Sequence, residues 1–247
     1  MLFAALKMIK SCLSMDTNRN NSNFPVLDIR EYFQFSSPEK SKNGLVAIGG
    51  NLSLGMLFSA YMQGIFPWFN EDEPVLWWSP DPRFVLFPEE LHIPKSLRRV
   101  LNQKIFTFSM DKAFEDVILS CATAKRQGQS GTWINSEMIE SYCNLHQAGY
   151  AHSVEAYLDG KLVGGFYGVL IGSVFFGESM FSHVENASKA AFCTFVEAFR
   201  KASGKLIDSQ IYTDHIARFG GRNISRAAFL RYEKDYLKES LLGEVNL

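Results

Sequence analysis

Hydrophobic and polar positions alternate most regularly over Ala151-His-Ser-Val-Glu-Ala-Tyr-Leu158. An Asp159-Gly160 pair breaks the run, an apolar stretch from Leu162 to Leu170 follows, and Ile171-Gly172 breaks it again before Ser173-Val-Phe-Phe-Gly177. Alternation interrupted by Asp-Gly predicts a β-hairpin, and the second break extends it to a meander. Past Glu178-Ser-Met-Phe-Ser182 the period changes. Phe192, Phe195, Val196 and Phe199 recur at helical spacing, Gly204 ends the helix, and Lys205–Gln210 predicts another short strand. Glu178, Asp208 and Gln210 thereby fall at strand ends beside aromatic positions. Polar groups converging on an apolar wall mark a small-ligand site.

The flanking chain is less regular. Gly44–Gly50 predicts a short strand or turn, and Ser53 is placed to cap a helix carrying Leu54, Leu57, Phe58 and Tyr61. Gly64-Ile-Phe-Pro-Trp-Phe69 and Leu76-Trp-Trp-Ser-Pro-Asp-Pro-Arg83 are aromatic loops whose prolines exclude helix. Pro94 opens a short helix with Leu97, Val100 and Leu101 inward, and Lys104–Met110 predicts a strand. Asp111 is placed to cap a helix through Phe114, Val117, Ile118 and Cys121, and residues 125–131 form a loop. Asn135 or Ser136 caps the next helix (Met138, Ile139, Tyr142), which Gly149 ends. Residues 211–224 read as loop, and Ser225 caps a C-terminal helix. Residues 1–22 read as a poorly anchored extension, without the apolar core or cleavage site of a signal peptide.

Composition narrows the class. A chain of 247 residues, 47% hydrophobic and 14% aromatic, has material for a real core. A net charge of −1 advertises no nucleic acid globally, so any electrostatic footprint must be local. The compact basic cluster is Lys95, Arg98 and Arg99, with Lys104 nearby; spacing alone favours a solvated helix face. Cys12, Cys121, Cys143 and Cys193 lack zinc or disulfide spacing and read as reduced thiols of a cytoplasmic protein. The uncharged run Leu162–Gly177 is shorter than the ~20 residues that span a bilayer, so no membrane role is expected.

Two strings approach known chemistry and miss. Gly177-Glu-Ser-Met-Phe181 has the start of a nucleophile elbow, but Phe181 replaces the second glycine that the sharp turn needs. Arg218-Phe-Gly-Gly-Arg-Asn223 partly matches the pyrophosphate loop of acetyl-CoA-using acetyltransferases, with Asn223 where Gly or Ala is usual. A plain turn is the better reading. The five histidines show no metal-ligand spacing, and no metal or cofactor is expected.

Six unusual strings occur in one order: Gly64–Phe69, Leu76–Arg83, Gly131-Thr-Trp-Ile134, Gly177–Ser182, Glu185-Asn-Ala-Ser-Lys189 and Leu206-Ile-Asp-Ser-Gln210. Together they resemble the leucyl/phenylalanyl-tRNA–protein transferase family over roughly residues 44–215. The resemblance implies an α+β protein: a small N-terminal α/β domain (23–84) followed by a GNAT-like, acyl-CoA N-acyltransferase-like domain (85–247) with a mixed, mainly antiparallel sheet. It implies transfer of Leu, Phe or less readily Met from Leu-tRNA or Phe-tRNA to proteins with N-terminal Arg or Lys, for degradation under the N-end rule. A monomer is expected. The donor ester is already activated, so the enzyme must juxtapose ester and amine, remove one proton and steady an oxyanion.

By the same resemblance, Phe166, Phe175, Met180, Phe192, Phe195 and Phe199 form the donor side-chain pocket. Phe166 stands where the family often has Met, and Phe192 where an aliphatic residue is common. The tRNA's terminal adenosine is expected on Trp68 and Trp133, with Tyr61 and Tyr142 nearby. Asp208 and Gln210 match a catalytic pair, Asp208 attracting or deprotonating the amine and Gln210 orienting the reacting groups. A competing account passes the proton through the ribose hydroxyl and leaves Asp208 purely electrostatic. Glu178 matches an acid that orders the site or receives the cationic N-terminal residue. Lys95, Arg98 and Arg99 align with a tRNA-contacting cluster, which raises phosphate binding above the solvated-face reading. Two rivals stand beside this one: a GNAT-type acyltransferase using acyl-CoA, and a non-catalytic RNA-binding protein.

Overall fold

A computed structural model describes residues 24–41, 43–124 and 133–247. The expected extension 1–22, the loop 125–131 and the first half of the Gly131–Ile134 string lie outside the described residues. The chain divides after Asp81 into two units, Met1–Asp81 and Pro82–Leu247. The expected boundary falls at 84/85; Arg83 and Phe84 pair with Ile224 and Asn223 within the second unit.

In the first unit, β1 (Leu45–Ile48), α1 (Leu54–Tyr61), β2 (Phe66–Pro67) and β3 (Leu76–Trp78) give an antiparallel sheet in the order β1-β3-β2. Trp77 and Trp78 are fully buried, and each indole N–H donates to a carbonyl, of Gly49 at 2.9 Å and Trp68 at 2.8 Å. Burying a tryptophan requires such a partner. Ser53 stands at the N-cap of α1, but its hydroxyl accepts from the Leu27 N–H at 3.0 Å instead of capping.

The second unit runs β4 (Arg83–Leu86), α2 (Lys95–Gln103), β5 (Thr107–Met110), α3 (Phe114–Thr123), α4 (Ser136–Gln147), β6 (Ala151–Leu158), β7 (Lys161–Ile171), β8 (Val174–Ser182), α5 (Ala187–Lys201), β9 (Leu206–Asp208), α6 (Asp214–Ala217), β10 (Arg222–Ile224) and α7 (Arg226–Tyr236). Its seven described strands lie in the order β10-β4-β9-β8-β7-β6-β5. The β8–β9 pair is parallel and the others are antiparallel, so the fold is α+β with a mixed, mainly antiparallel sheet.

The meander forms as the pattern predicts. Asp159 (φ 50°) and Gly160 (φ 74°) both adopt left-handed backbone, and Leu158 pairs with Lys161 across that two-residue turn. Helices cover both faces, and adjacent glycines of β7 record how closely. A Cβ on Gly164 would lie 2.7 Å from Ala187 of α5, and one on Gly165 would lie 3.5 Å from Val117 of α3. The α5 face holds an aromatic core of Phe84, Phe166, Phe175, Phe192, Phe195 and Phe199, joined by Leu86, Ile207 and Leu97 of α2.

The differences from expectation are local. Asn135, not Ser136, caps α4, its Oδ1 accepting from the Met138 N–H at 2.9 Å. Asp111 does not cap α3. Its backbone is left-handed (φ 60°), and its carboxylate accepts from the Ser153 N–H at 2.9 Å and bonds His152 at 2.7 Å. The span expected as loop, 211–224, contains α6 and β10. Among the described cysteines, Cys121 and Cys193 are buried and Cys143 half-buried, all as free thiols; burial pushes Cys193 up to about 12. Among the described residues no helix is long and apolar enough to cross a membrane.

Candidate active site

The site begins where β9 stops. Val174, Phe175 and Phe176 of β8 pair in parallel with Leu206, Ile207 and Asp208, after which β9 ends while β8 runs on to Ser182. Beyond that point the β9-facing edge of β8 carries no ladder to β9. Gly177, Glu178 and Gln210 lie at this opening.

A β-bulge decides what faces it. Tyr167 pairs with Ser179 and Gly168 with Gly177, so Glu178 is the extra residue on β8. Strict alternation from Phe175 would send Met180 away from the α5 face. The extra residue reverses the phase: Met180 pairs with Phe166 and packs against the aromatic core, while Glu178 turns toward α4. Sequence alternation placed Glu178 at a strand end; in the structure it lies within β8.

Three polar side chains then connect. The Tyr142 hydroxyl of α4 donates to Glu178 Oε2 at 3.2 Å, and Gln210 Nε2 donates to Glu178 Oε1 at 3.2 Å. Tyr142 is fully buried, Gln210 is 8% exposed, and Glu178 is half-buried. Gln210 itself sits in the left-handed region (φ 55°), a strained setting for a residue with a side chain. Its N–H donates to Asp208 Oδ1 at 2.9 Å, and its carbonyl accepts from the Phe84 N–H at 3.2 Å.

Asp208 is fully buried and held in a two-pronged ion pair, with Arg83 Nε to Oδ1 at 2.8 Å and Nη2 to Oδ2 at 2.6 Å. The Phe229 ring of α7 lies 4.3 Å below the Arg83 guanidinium. Arg83 ends the Trp-rich string Leu76–Arg83, where spacing assigns it no role. The signal available was a charged residue opening the apolar run Arg83-Phe-Val-Leu, because a charge inside a strand must find a partner.

Of the six expected pocket residues, Phe166, Phe175, Phe192, Phe195 and Phe199 are buried and interlocked. Phe166 meets Phe175, Phe192 and Phe195 edge-on at 5.4–5.9 Å between centroids, and Phe195 stacks on Phe199 at 5.4 Å. Met180 is half-buried and is the member nearest Glu178 in sequence. The Phe group packs on the α5 face, whereas Phe176 and the paired Asp208 point to the other face, as alternation along β8 and β9 requires. The two sets occupy neighbouring strand positions on opposite faces of the sheet.

The remaining expected residues are spread over the chain. Trp133 is half-buried just before the Asn135 cap of α4. Lys95, Arg98 and Arg99 are exposed on α2, with Leu97 buried beneath. In the first unit Tyr61 is fully buried, and Trp68 is half-buried with its ring 6.3 Å from that of Trp78.

Both near-miss motifs resolve on geometry. Ser179 lies inside β8 and not on the turn between β8 and α5, where a nucleophile elbow would place it. In the glycine loop the N–H groups of Phe219, Gly220 and Gly221 donate to the carbonyls of Ile216, Ala217 and Ile216 at 3.0, 3.1 and 3.0 Å. They terminate α6, and a pyrophosphate would have to displace those bonds.

A family model described as leucyl/phenylalanyl-tRNA protein transferase matches residues 85–234, and one for that family's N-terminal domain matches residues 50–81. The leucyl/phenylalanyl-tRNA–protein transferase of Flavobacterium johnsoniae is 53% identical over 192 residues, covering 78% of this chain and 91% of that protein. Its counterpart in Myxococcus xanthus is 50% identical over 206 residues, covering 83% and 88%. Among solved structures, a GCN5-related N-acetyltransferase from Kribbella flavida superposes with a TM-score of 0.34 at 12% identity, over 70% of this chain and 62% of that one. A likeness that low bears on neither fold nor function.

Proposed function

Since the chain belongs to the leucyl/phenylalanyl-tRNA–protein transferase family, we propose that it moves leucine, phenylalanine or, less readily, methionine from charged tRNA to the α-amine of proteins beginning with Arg or Lys. The chain is an aminoacyltransferase with an aminoacyl-tRNA donor and a protein acceptor. The choice of amino acid, the acceptor residues, the destination in N-end-rule degradation and the cytoplasmic setting are our reading.

The observation that carries it is the Tyr142–Glu178–Gln210 network, held where β9 stops and β8 runs on. An apolar donor side chain suits the Phe166, Phe175, Met180, Phe192, Phe195 and Phe199 wall, and the reacting ester then lies toward the polar end. The acceptor nitrogen attacks the ester carbonyl carbon, the amide bond forms, and the ribose oxygen leaves with a proton. Hydrogen-bonding groups already in place cost no reorganisation as the oxyanion develops. Gln210 orients the amine, and the carboxylate of Glu178 suits a cationic Arg or Lys at the acceptor's first position. Asp208 acts from behind these groups, since it is buried against Arg83.

For the tRNA, Trp133 and Tyr142 remain the proposed adenosine residues. The exposed Lys95, Arg98 and Arg99 are proposed to meet phosphate. The deciding experiment offers charged Leu-tRNA and Phe-tRNA together with an Arg-starting peptide and weighs the product. Addition of one Leu or Phe at the N-terminus is expected. An unmodified peptide would overturn the reading, and acylation from acetyl-CoA without tRNA would favour the acyl-CoA rival.

A further inference from the structure

We propose that Arg83 is a positioning residue for the transfer: it fixes Asp208 so that this carboxylate holds the Gln210 backbone, rather than taking a proton from the substrate. The inference deepens the proposed function and rests on Gln210 acting at the reacting centre.

Both carboxylate oxygens of Asp208 are engaged. Oδ1 accepts from Arg83 Nε at 2.8 Å and from the Gln210 N–H at 2.9 Å, and Oδ2 accepts from Arg83 Nη2 at 2.6 Å. Neither side chain of the pair has exposed surface. A general base must come within hydrogen-bond reach of the proton it removes. Asp208 is closed off by its own partners, whereas Gln210 and Glu178 retain exposed surface and bond each other at 3.2 Å.

The planar guanidinium fork explains why this position carries Arg. Two parallel bonds set both the place and the rotation of the carboxylate, which a lysine ammonium, a point charge, does not. With the carboxylate so oriented, Oδ1 meets an N–H two residues on, and the chain is bent into the left-handed conformation at Gln210 (φ 55°). Such backbone persists only where surroundings over-determine it. Strand β4 supplies a second constraint, since the Phe84 N–H donates to the Gln210 carbonyl at 3.2 Å and the Ser209 N–H donates to the Phe84 carbonyl at 3.0 Å. The side chain of Arg83 and the backbone of Phe84 thus grip both sides of one short loop. The result aims the Gln210 amide at Glu178.

The test uses the full chain with Arg83→Lys and two readouts. Amide exchange by NMR comes first and needs no substrate. The Gln210 N–H is expected to exchange about 10-fold faster in the variant, with the Phe84 and Ser209 N–H groups little changed; an unchanged Gln210 rate overturns the clamp. Kinetics come second. Arg83→Lys is expected to lower kcat about 10- to 100-fold with little change in KM for charged tRNA or peptide, and to cost far less in a Gln210→Ala background. Equal losses in both backgrounds, or a loss confined to KM, would reject an action through Gln210.

Should Arg83→Lys fail to unfold cooperatively, the double variant Arg83→Gln with Asp208→Asn decides. It buries no unpaired charge and keeps an oxygen for the Gln210 N–H. Transfer within about 100-fold of wild type and an unchanged pH–rate profile are expected. A profile that loses its acid limb would show that the carboxylate itself handles the proton, against the proposal. If the wild type transfers nothing from Leu-tRNA or Phe-tRNA, the proposed function fails while the exchange measurement still judges the clamp.

Discussion

At the scale of the residue, buried charge governs what mutations mean. Asp208→Ala would be the direct test of a catalytic carboxylate, yet the structure makes it a structural change as well. Removing that carboxylate strands the Arg83 guanidinium in a fully buried setting, and losing one partner of such a pair typically costs about 3–5 kcal/mol. Asp208→Ala is therefore expected to lower the urea midpoint sharply, whatever it does to transfer; an unshifted midpoint would mean that water reaches the site. His215 gives a second residue-level expectation. Burial, with Lys189 and Arg218 nearby, pushes its imidazole down to about 4, below the ordinary 6.5. The unfolded chain then binds the proton more readily between those values, so stability is complete above about pH 6.5 and falls as pH drops toward 4. Replacing His215 with Phe is expected to remove up to about 3 kcal/mol of that acid-side loss, read from denaturant curves at pH 7 and pH 4.5. Identical pH slopes in both proteins would refute the assignment.

At the scale of the element, the bulge in β8 and the basic face of α2 do separate work. Gly168, opposite Gly177 at the bulge, has no room for a side chain: a Cβ there would collide with the Phe176 carbonyl and the Phe175 ring. Gly168→Ala should destabilise by roughly 1–3 kcal/mol through overpacking, and should depress transfer by moving Glu178. Wild-type activity and stability together would show the strand has more slack than its packing indicates. On α2, Lys95, Arg98 and Arg99 face solvent over the buried Leu97. Exchanging all three for Ala is expected to weaken tRNA binding uniformly. The dependence of that binding on salt should also flatten, by about one unit of slope for each phosphate no longer neutralised. Fold stability should hardly move. A salt slope identical to wild type would return this cluster to a solvated helix face.

At the scale of the whole molecule, the division after Asp81 has a measurable consequence. Trp68, Trp77 and Trp78 lie in the first unit and Trp133 in the second, while six of the seven described α-helices belong to the second. Tryptophan fluorescence therefore reports chiefly on Met1–Asp81 and far-UV circular dichroism on Pro82–Leu247. If the units unfold separately, the two urea curves will not coincide. Superimposable curves would show that the chain melts as one cooperative block.

How much of this was legible beforehand depended on the range of the interaction involved. The meander was readable because its information is local: alternation sets the strands, and Asp159-Gly160 supplies the two left-handed residues of the turn. The Asn135 and Ser225 caps were local too, each side chain reaching an N–H three residues on. Caps failed where a distant partner outcompeted the helix, as Leu27 did for Ser53 and Ser153 for Asp111. β4 and β10 were missed because each is a short run that becomes a strand only through its neighbours in the sheet.

The family strings located Glu178, Asp208 and Gln210 along the chain. Only the folded chain brings Arg83 across 125 positions to Asp208, turns Glu178 toward Tyr142 through one extra residue, and joins Glu178 to Gln210. Sequence by itself determined the meander, its turn and the capped helices, and which chemical groups are present, because propensity and turn chemistry act over a few residues. Tertiary structure decided which of those groups meet substrate and which hold others in place, because burial and ion pairing are properties of neighbours in space.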